Sequence, residues 1–146
     1  MIEYSRRGET LENDIRFDGA LLLLRVAVGF ICVLHGLMKV FGFFGGPGIE
    51  GFANVLSSMG FTYALFWAWS AALAEFVGGV FLVFGIIPRT CAVLLGIVML
   101  VAIVVVHWPY GFFAMNNGFE YPFLIFFVCV FFAFVGSGRF SLYNKF

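Results

Sequence analysis

Four apolar runs, separated by aromatic or glycine-rich connectors, set the pattern of this 146-residue chain. Their lengths predict an all-α, polytopic membrane protein: a four-transmembrane-helix bundle with spans at about 20–44, 63–87, 91–107 and 121–136. A polar segment, 1–19, precedes the first run, and a short tail, 139–146, follows the last. In the first segment Glu3/Arg7 and Glu12/Arg16 stand four residues apart, a spacing that supports a short surface helix, although a solvated tail is the simpler expectation.

The first run carries Arg25, His35 and Lys39. A charged side chain near the centre of a bilayer costs about 2.5–3.5 kcal/mol, so each needs a partner, water, or a route to the headgroups. Arg25, Gly29, Cys32, Gly36 and Lys39 recur at alternating spacings of four and three, which is one helix face, with His35 on its edge. Small residues let a second helix approach closely, so this face is expected to point into the bundle. Gly45, Gly46, Pro47 and Gly48 then break the helix. Phe52, Val55, Leu56 and Met59 follow at helical spacing and predict a short interfacial helix between spans one and two.

The second run opens with Tyr63, Phe66, Trp67 and Trp69, residues suited to the headgroup level, and holds a single charge, Glu75, among Ala68, Ala71, Ala72, Gly78 and Gly79. Pro88, Arg89 and Thr90 read as a tight turn into the aliphatic third run, which ends at His107 and Trp108. An aromatic loop with Tyr110, Phe112, Phe113, Asn116, Asn117 and Glu120 leads to Pro122, in the first turn of the fourth run.

Composition sharpens the class. Hydrophobic residues make up 63% and charged residues 11%, against about a quarter charged in a soluble domain. Eight basic and eight acidic residues balance, which removes nucleic acid as an expected partner. Arg25 interrupts what would be the core of a cleavable signal, so the first span is expected to be a retained signal anchor. With four spans both termini share a side, and that side holds Arg6, Arg7, Arg16, Arg89, Arg139 and Lys145. The positive-inside rule then places both termini in the cytoplasm of a cell with this protein in its inner (plasma) membrane. Arg25 is expected to snorkel toward that face, Glu75 to lie near mid-membrane, and His35, Lys39, His107 and Glu120 to lie in the outer half.

These residues present one candidate site, with a buried helix-to-helix ion pair as the structural alternative for Glu75. Haem is disfavoured: a bis-histidine site needs ligands at matching depth, and His35 and His107 differ in their position along their spans. No His, Cys, Asp or Glu cluster has metal-ligand spacing. The three cysteines, Cys32, Cys91 and Cys129, contain no Cys-x-x-Cys and read as small packing residues. A solute carrier is disfavoured by the absence of an inverted repeat.

From Arg25 to about Leu142 the chain resembles the DoxX family (DoxX/DoxD-like small membrane proteins). The resemblance rests on Arg25-x3-Gly29, His35-Gly36-x2-Lys39, Phe52-x7-Gly60, Glu75-x2-Gly78-Gly79 and Gly85-x3-Arg89. It continues through His107-x3-Gly111-Phe112-Phe113, Asn117-Gly118-x-Glu120-Tyr121-Pro122 and Gly136-x-Gly138-x2-Ser141-Leu142. It implies a four-helix membrane fold and redox work, as a subunit of a quinol- or thiosulfate-linked oxidoreductase or a partner of one.

The expected function is therefore a membrane subunit of a quinone-linked redox system that binds a quinone-like or lipid-like molecule in a polar pocket of the outer leaflet. Glu75 is the expected proton acceptor, with His35 and His107 as hydrogen-bonding groups. Lys39, Glu120, Arg25, Asn117 and Trp108 are the expected binding residues. The alternative is a non-catalytic anchor or scaffold for a partner redox enzyme. A homodimer or larger complex is expected, because so small a bundle buries little area.

Overall fold

The computed structural model describes residues 2–143, with side chains from Asp14 onward. The Glu3/Arg7 and Glu12/Arg16 spacings, Arg6, Arg7 and Lys145 therefore involve side chains outside the described ones. Among the described residues every regular element is a helix, and there is no strand. Helix α1 runs from Ile2 to Phe41, α2 from Gly48 to Ser58, α3 from Ala64 to Phe84, α4 from Pro88 to Val101 and α5 from Glu120 to Val135.

Several boundaries differ from the sequence reading. Helix α1 begins at Ile2, so the polar segment is a continuation of the first apolar helix rather than a separate tail. It stops at Phe41 instead of residue 44, because Gly42 takes a left-handed conformation (φ 72°), and a single 3₁₀ turn follows. Residues 88–90 are not a turn but the first turn of α4. The reversal falls one step earlier, on Gly85 and Ile87 (φ 70° and 40°), and Pro88 then suits a position where no amide hydrogen is required. Beyond Val101 the helix widens into a π-helical stretch, Ala102–His107, before a 3₁₀ turn at Trp108–Tyr110.

Among the described residues, three helical segments are long and apolar enough to cross a membrane: Asp14–Phe41, Ala64–Phe84 and Pro88–Tyr110. The fourth apolar helix, α5, has 16 residues, about 24 Å at 1.5 Å each, which is short of a ~30 Å hydrocarbon layer. The outward surface suits lipid. Leu23, Leu124 and Phe134 are each more than 60% exposed, a display that water would penalise and acyl chains would not.

Helix α1 packs most extensively on α3; α3 packs on α4, and α4 on α5. The α1–α3 contact is backbone on backbone. A Cβ built on Gly36 would lie 2.6 Å from the backbone nitrogen of Phe76, and one on Gly79 would lie 2.8 Å from the carbonyl oxygen of Gly29. Gly36 against Phe76, and Gly29 against Gly79 and Val83, define an antiparallel and staggered pair. The stagger leaves α1 overhanging the C-terminal end of α3, and the opening turns of α3 running past the end of α1. Helix α2 packs against those turns: its Ala53 and Leu56 pack with Ala68, beside Phe52, Phe61 and Ala64. The C-terminal segment covers the other overhang, with the Leu142 amide donating to the Phe84 carbonyl at 3.0 Å.

Gly36→Ala is expected to destabilise the folded protein by roughly 1–3 kcal/mol, because its methyl meets main chain that cannot yield. Gly19→Ala, in the same helix with open space around it, should be neutral or stabilising by about 0.5–1 kcal/mol. Thermal unfolding in one detergent compares them, and equal melting of the two variants would remove the close contact as the basis of α1–α3 association.

Candidate functional site

The α1–α3 seam brings Lys39 to Glu75. The ammonium donates to both carboxylate oxygens at 2.6 Å, and Glu75 is only 2% exposed whereas the Lys39 side chain is 21% exposed. The local sequence explains the pair. Ala68, Ala72, Glu75, Gly79 and Leu82 are the buried stripe of α3, and Gly29, Cys32 and Gly36 are the facing stripe of α1. Small residues on both sides bring the backbones together, and the one long side chain on each side closes the remaining distance. The Lys39 ammonium also lies 5.0 Å from the centre of the Phe52 ring, so α2 supplies a cation–π contact to the partly buried cation.

His35 and Tyr121 extend the site across to α5. Their rings stack at 5.6 Å with planes 24° apart. His35 lies within electrostatic reach of both Glu75 and Lys39, and Tyr121 within reach of Glu75 and Cys32. One carboxylate, one ammonium, one imidazole and one phenol thus converge from α1, α3 and α5. Such a set offers a ring surface for stacking and charged groups for hydrogen bonding, and its one direct proton-sharing contact is Lys39–Glu75.

The outer-loop residues make their own constellation. The Nδ1 atom of His107 lies 2.7 Å from the Asn117 carbonyl oxygen, and a Glu120 carboxylate oxygen accepts from the Ala114 amide at 2.9 Å. Trp108 stacks on Phe119 at 5.3 Å, and Asn117 adopts the left-handed conformation that turns the loop (φ 64°). Among the described residues no hydrogen bond or ion pair joins His107 or Glu120 to Glu75, Lys39 or His35. His107, Trp108, Asn117 and Glu120 instead order the connection between α4 and α5.

Arg25 is a correction. It does not snorkel: it is 1% exposed, and its guanidinium donates to the main-chain carbonyls of Ser137, at 2.8 Å, and Phe140. The overhang of α1 past α3 is the reason, since it places Arg25 beneath the returning C-terminal segment and beside Gly85. Arg25 stands fourteen residues before Lys39 on one helix, about 21 Å away, so it belongs to the other end of the molecule. The three cysteines are buried thiols, with Cys32 and Cys129 in the central cluster.

Sequence reasoning passed over Tyr121, Phe52 and Asp18. Asp18 is buried and accepts from the Arg139 amide at 3.1 Å, with the Arg139 guanidinium 3.7 Å away. A signal for it existed, because Asp18, Leu21, Arg25 and Val28 continue the three-and-four spacing of the buried α1 face. Tyr121 and Phe52 carry no such signal: which aromatic ring meets His35 or Lys39 depends on helix placement.

A protein-family model described as DoxX matches residues 20–108, a stretch that includes Arg25, His35, Lys39, Glu75 and His107. The chain is 33% identical over 121 residues to a Bacillus subtilis protein named "Putative oxidoreductase CatD", covering 83% of this chain and 82% of that one. It is 30% identical over 133 residues to an uncharacterized protein of Haemophilus influenzae, covering 86% and 90%. No solved structure matches the chain.

Lys39→Met leaves the Glu75 carboxylate buried without its cation. Such a loss costs about 3–5 kcal/mol for a fully buried pair, and the lower end is expected here because Lys39 reaches the surface. The Lys39→Met/Glu75→Gln double variant should recover much of that loss. Urea or thermal unfolding of the single and double variants checks it, and additive losses would show that the two side chains do not depend on each other.

Proposed function

This chain belongs to the DoxX family, and on that footing we propose that it is the membrane-embedded subunit of a quinone-linked redox system. The observation that carries the reading is the Lys39–Glu75 pair, held by two 2.6 Å contacts among small residues and flanked by the His35–Tyr121 stack. Buried ion pairs seldom improve on well-packed apolar residues for stability, and intramembrane ionisable residues usually mark sites. The name carried by the Bacillus subtilis relative supports redox work, and the family supports a membrane setting.

In this reading a quinol headgroup enters past Lys39 and stacks beside His35 and Tyr121. Lys39 orients a ring oxygen, His35 hydrogen-bonds to the other, and Glu75 accepts a hydroxyl proton as Lys39 shifts its bonds to the ligand. Quinol oxidation releases two electrons and two protons; one proton passes to Glu75 and the other to the His35 imidazole on the second ring oxygen. The electrons pass to a partner redox protein docked on the outer loop, where His107, Trp108, Asn117 and Glu120 lie. Helix α5 serves as the fourth span, α2 lies in the interface, and both termini face the cytoplasm of the inner membrane. The distribution of arginines supports this: Arg16, Arg89 and Arg139 lie at one end, and the 42–63 and 108–121 connectors contain no Lys or Arg.

A second reading has one observation in its favour. Both Glu75 oxygens are already satisfied by Lys39, as a purely structural pair would require. The protein would then anchor a partner redox enzyme and leave the chemistry to it.

Glu75→Gln separates the two. The amide keeps the shape and one acceptor but cannot take a proton, so quinol-dependent electron transfer in membranes should fall by at least tenfold while the yield of folded protein stays unchanged. Wild-type activity in this variant, with altered assembly of the partner complex, would instead establish the anchor reading.

A further inference from the structure

The end of the molecule opposite the Lys39–Glu75 pair contains a second constellation that the redox reading does not use. We propose that the cleft against Arg25 is a binding site for a phosphate-bearing anion, with the headgroup of an anionic phospholipid as its occupant. The cleft has a volume of about 350 Å³ and is open on one side. Arg25 and Arg139 both line it, and Leu22, Phe84, Phe140 and Leu142 form apolar walls. Two guanidinium groups above greasy walls match an amphiphile with a negative head.

The electrostatics of Arg25 argue for the anion. Its guanidinium is 1% exposed, yet the groups it meets are carbonyl oxygens: Ser137 through Nη1 and Phe140 through Nη2. No carboxylate pairs with it among the described residues. The C-terminal ends of α3 and α5 supply partial negative charge nearby, which is less than a full counter-charge and falls off within a turn. Nε is buried and has no hydrogen-bond partner. A buried guanidinium normally has its donors and its charge satisfied, because leaving either unmet is costly. The Nε edge of a guanidinium is suited to an oxyanion that takes two parallel bonds, and because Nε has no exposed surface here, the Phe140 carbonyl on Nη2 would give way as the anion seats.

Arg139 completes the argument at the mouth. It is 60% exposed, and its contact with Asp18 is a long 3.7 Å, so it can turn toward an anion without giving up a close pair. Basic pockets between membrane helices are suited to anionic headgroups, and the flanking Leu22, Phe84 and Leu142 would meet acyl chains. The C-terminal segment forms one wall of the cleft, so an occupant would also clasp that segment to α1 and α3. This site lies about 21 Å along α1 from Lys39, so it stands or falls independently of the quinone reading.

The test uses the full-length protein in a neutral detergent, titrated with phosphatidylglycerol, phosphatidylcholine or inorganic phosphate while native mass spectra and melting temperature are read. Phosphatidylglycerol is expected to form a one-to-one adduct and raise the melting temperature, with phosphatidylcholine at least tenfold weaker. Arg139→Gln should weaken the phosphatidylglycerol adduct several-fold, and Arg25→Gln should abolish it. Should Arg25→Gln fail to fold, Arg139→Gln and Arg25→Lys decide, since the lysine keeps a charge but loses the two-bond edge and must also weaken binding. A response to inorganic phosphate equal to that of phosphatidylglycerol keeps the anion site and reassigns it to the free ion. Equal binding of the two lipids with no response to phosphate, or wild-type affinity in Arg139→Gln, overturns the proposal.

Discussion

A carboxylate that is 2% exposed in an apolar helix has to be met by a cation, and this requirement shapes the α1–α3 seam. Lys39 reaches Glu75 only because the two backbones approach to contact distance, and they do so because Gly29, Gly36 and Gly79 leave nothing between them. The pair and the glycines are therefore one device. Enlarging a glycine would separate the charges, and removing a charge would strand its partner in a low-dielectric interior. The register that satisfies both also staggers the helices, and the stagger has consequences at each end.

At one end the opening turns of α3 run past α1 and are packed by α2, which brings Phe52 over the Lys39 ammonium. At the other, α1 runs past α3 and would leave Asp18 and Arg25 uncovered. The C-terminal segment returns over them, giving Arg25 two main-chain carbonyls and Asp18 the Arg139 amide. A single packing register thus produces two polar centres about 21 Å apart, one with a matched charge pair and one with a cation held by carbonyls. The two centres therefore differ in charge balance, which is why different roles are proposed for them.

The link from fold to function runs through the same seam. Glu75 is sealed, and Lys39 is the more exposed member of the pair. A ligand that engaged the carboxylate would have to compete for the ammonium first. The connection between α4 and α5 is ordered by the His107–Asn117 and Glu120–Ala114 contacts and by the Trp108–Phe119 stack.

The chain's class was legible from its sequence, and so was much of its organisation. Long apolar runs need a helix to satisfy their main-chain groups in lipid, so the helices followed from hydropathy alone. The inward face of α1 followed from the three-and-four spacing of Arg25, Gly29, Cys32 and Gly36, all of which are buried. Position along a helix also placed Glu75 amid small residues, because periodicity is a property of a single segment. What the tertiary structure alone decided is which segments meet and at what register. It made Lys39 the partner of Glu75, set Tyr121 against His35, kept His107 and Glu120 in a loop of their own, and buried Arg25 where snorkelling had been expected. Those outcomes depend on the stagger between helices distant in the chain, and spacing within one helix has no bearing on it.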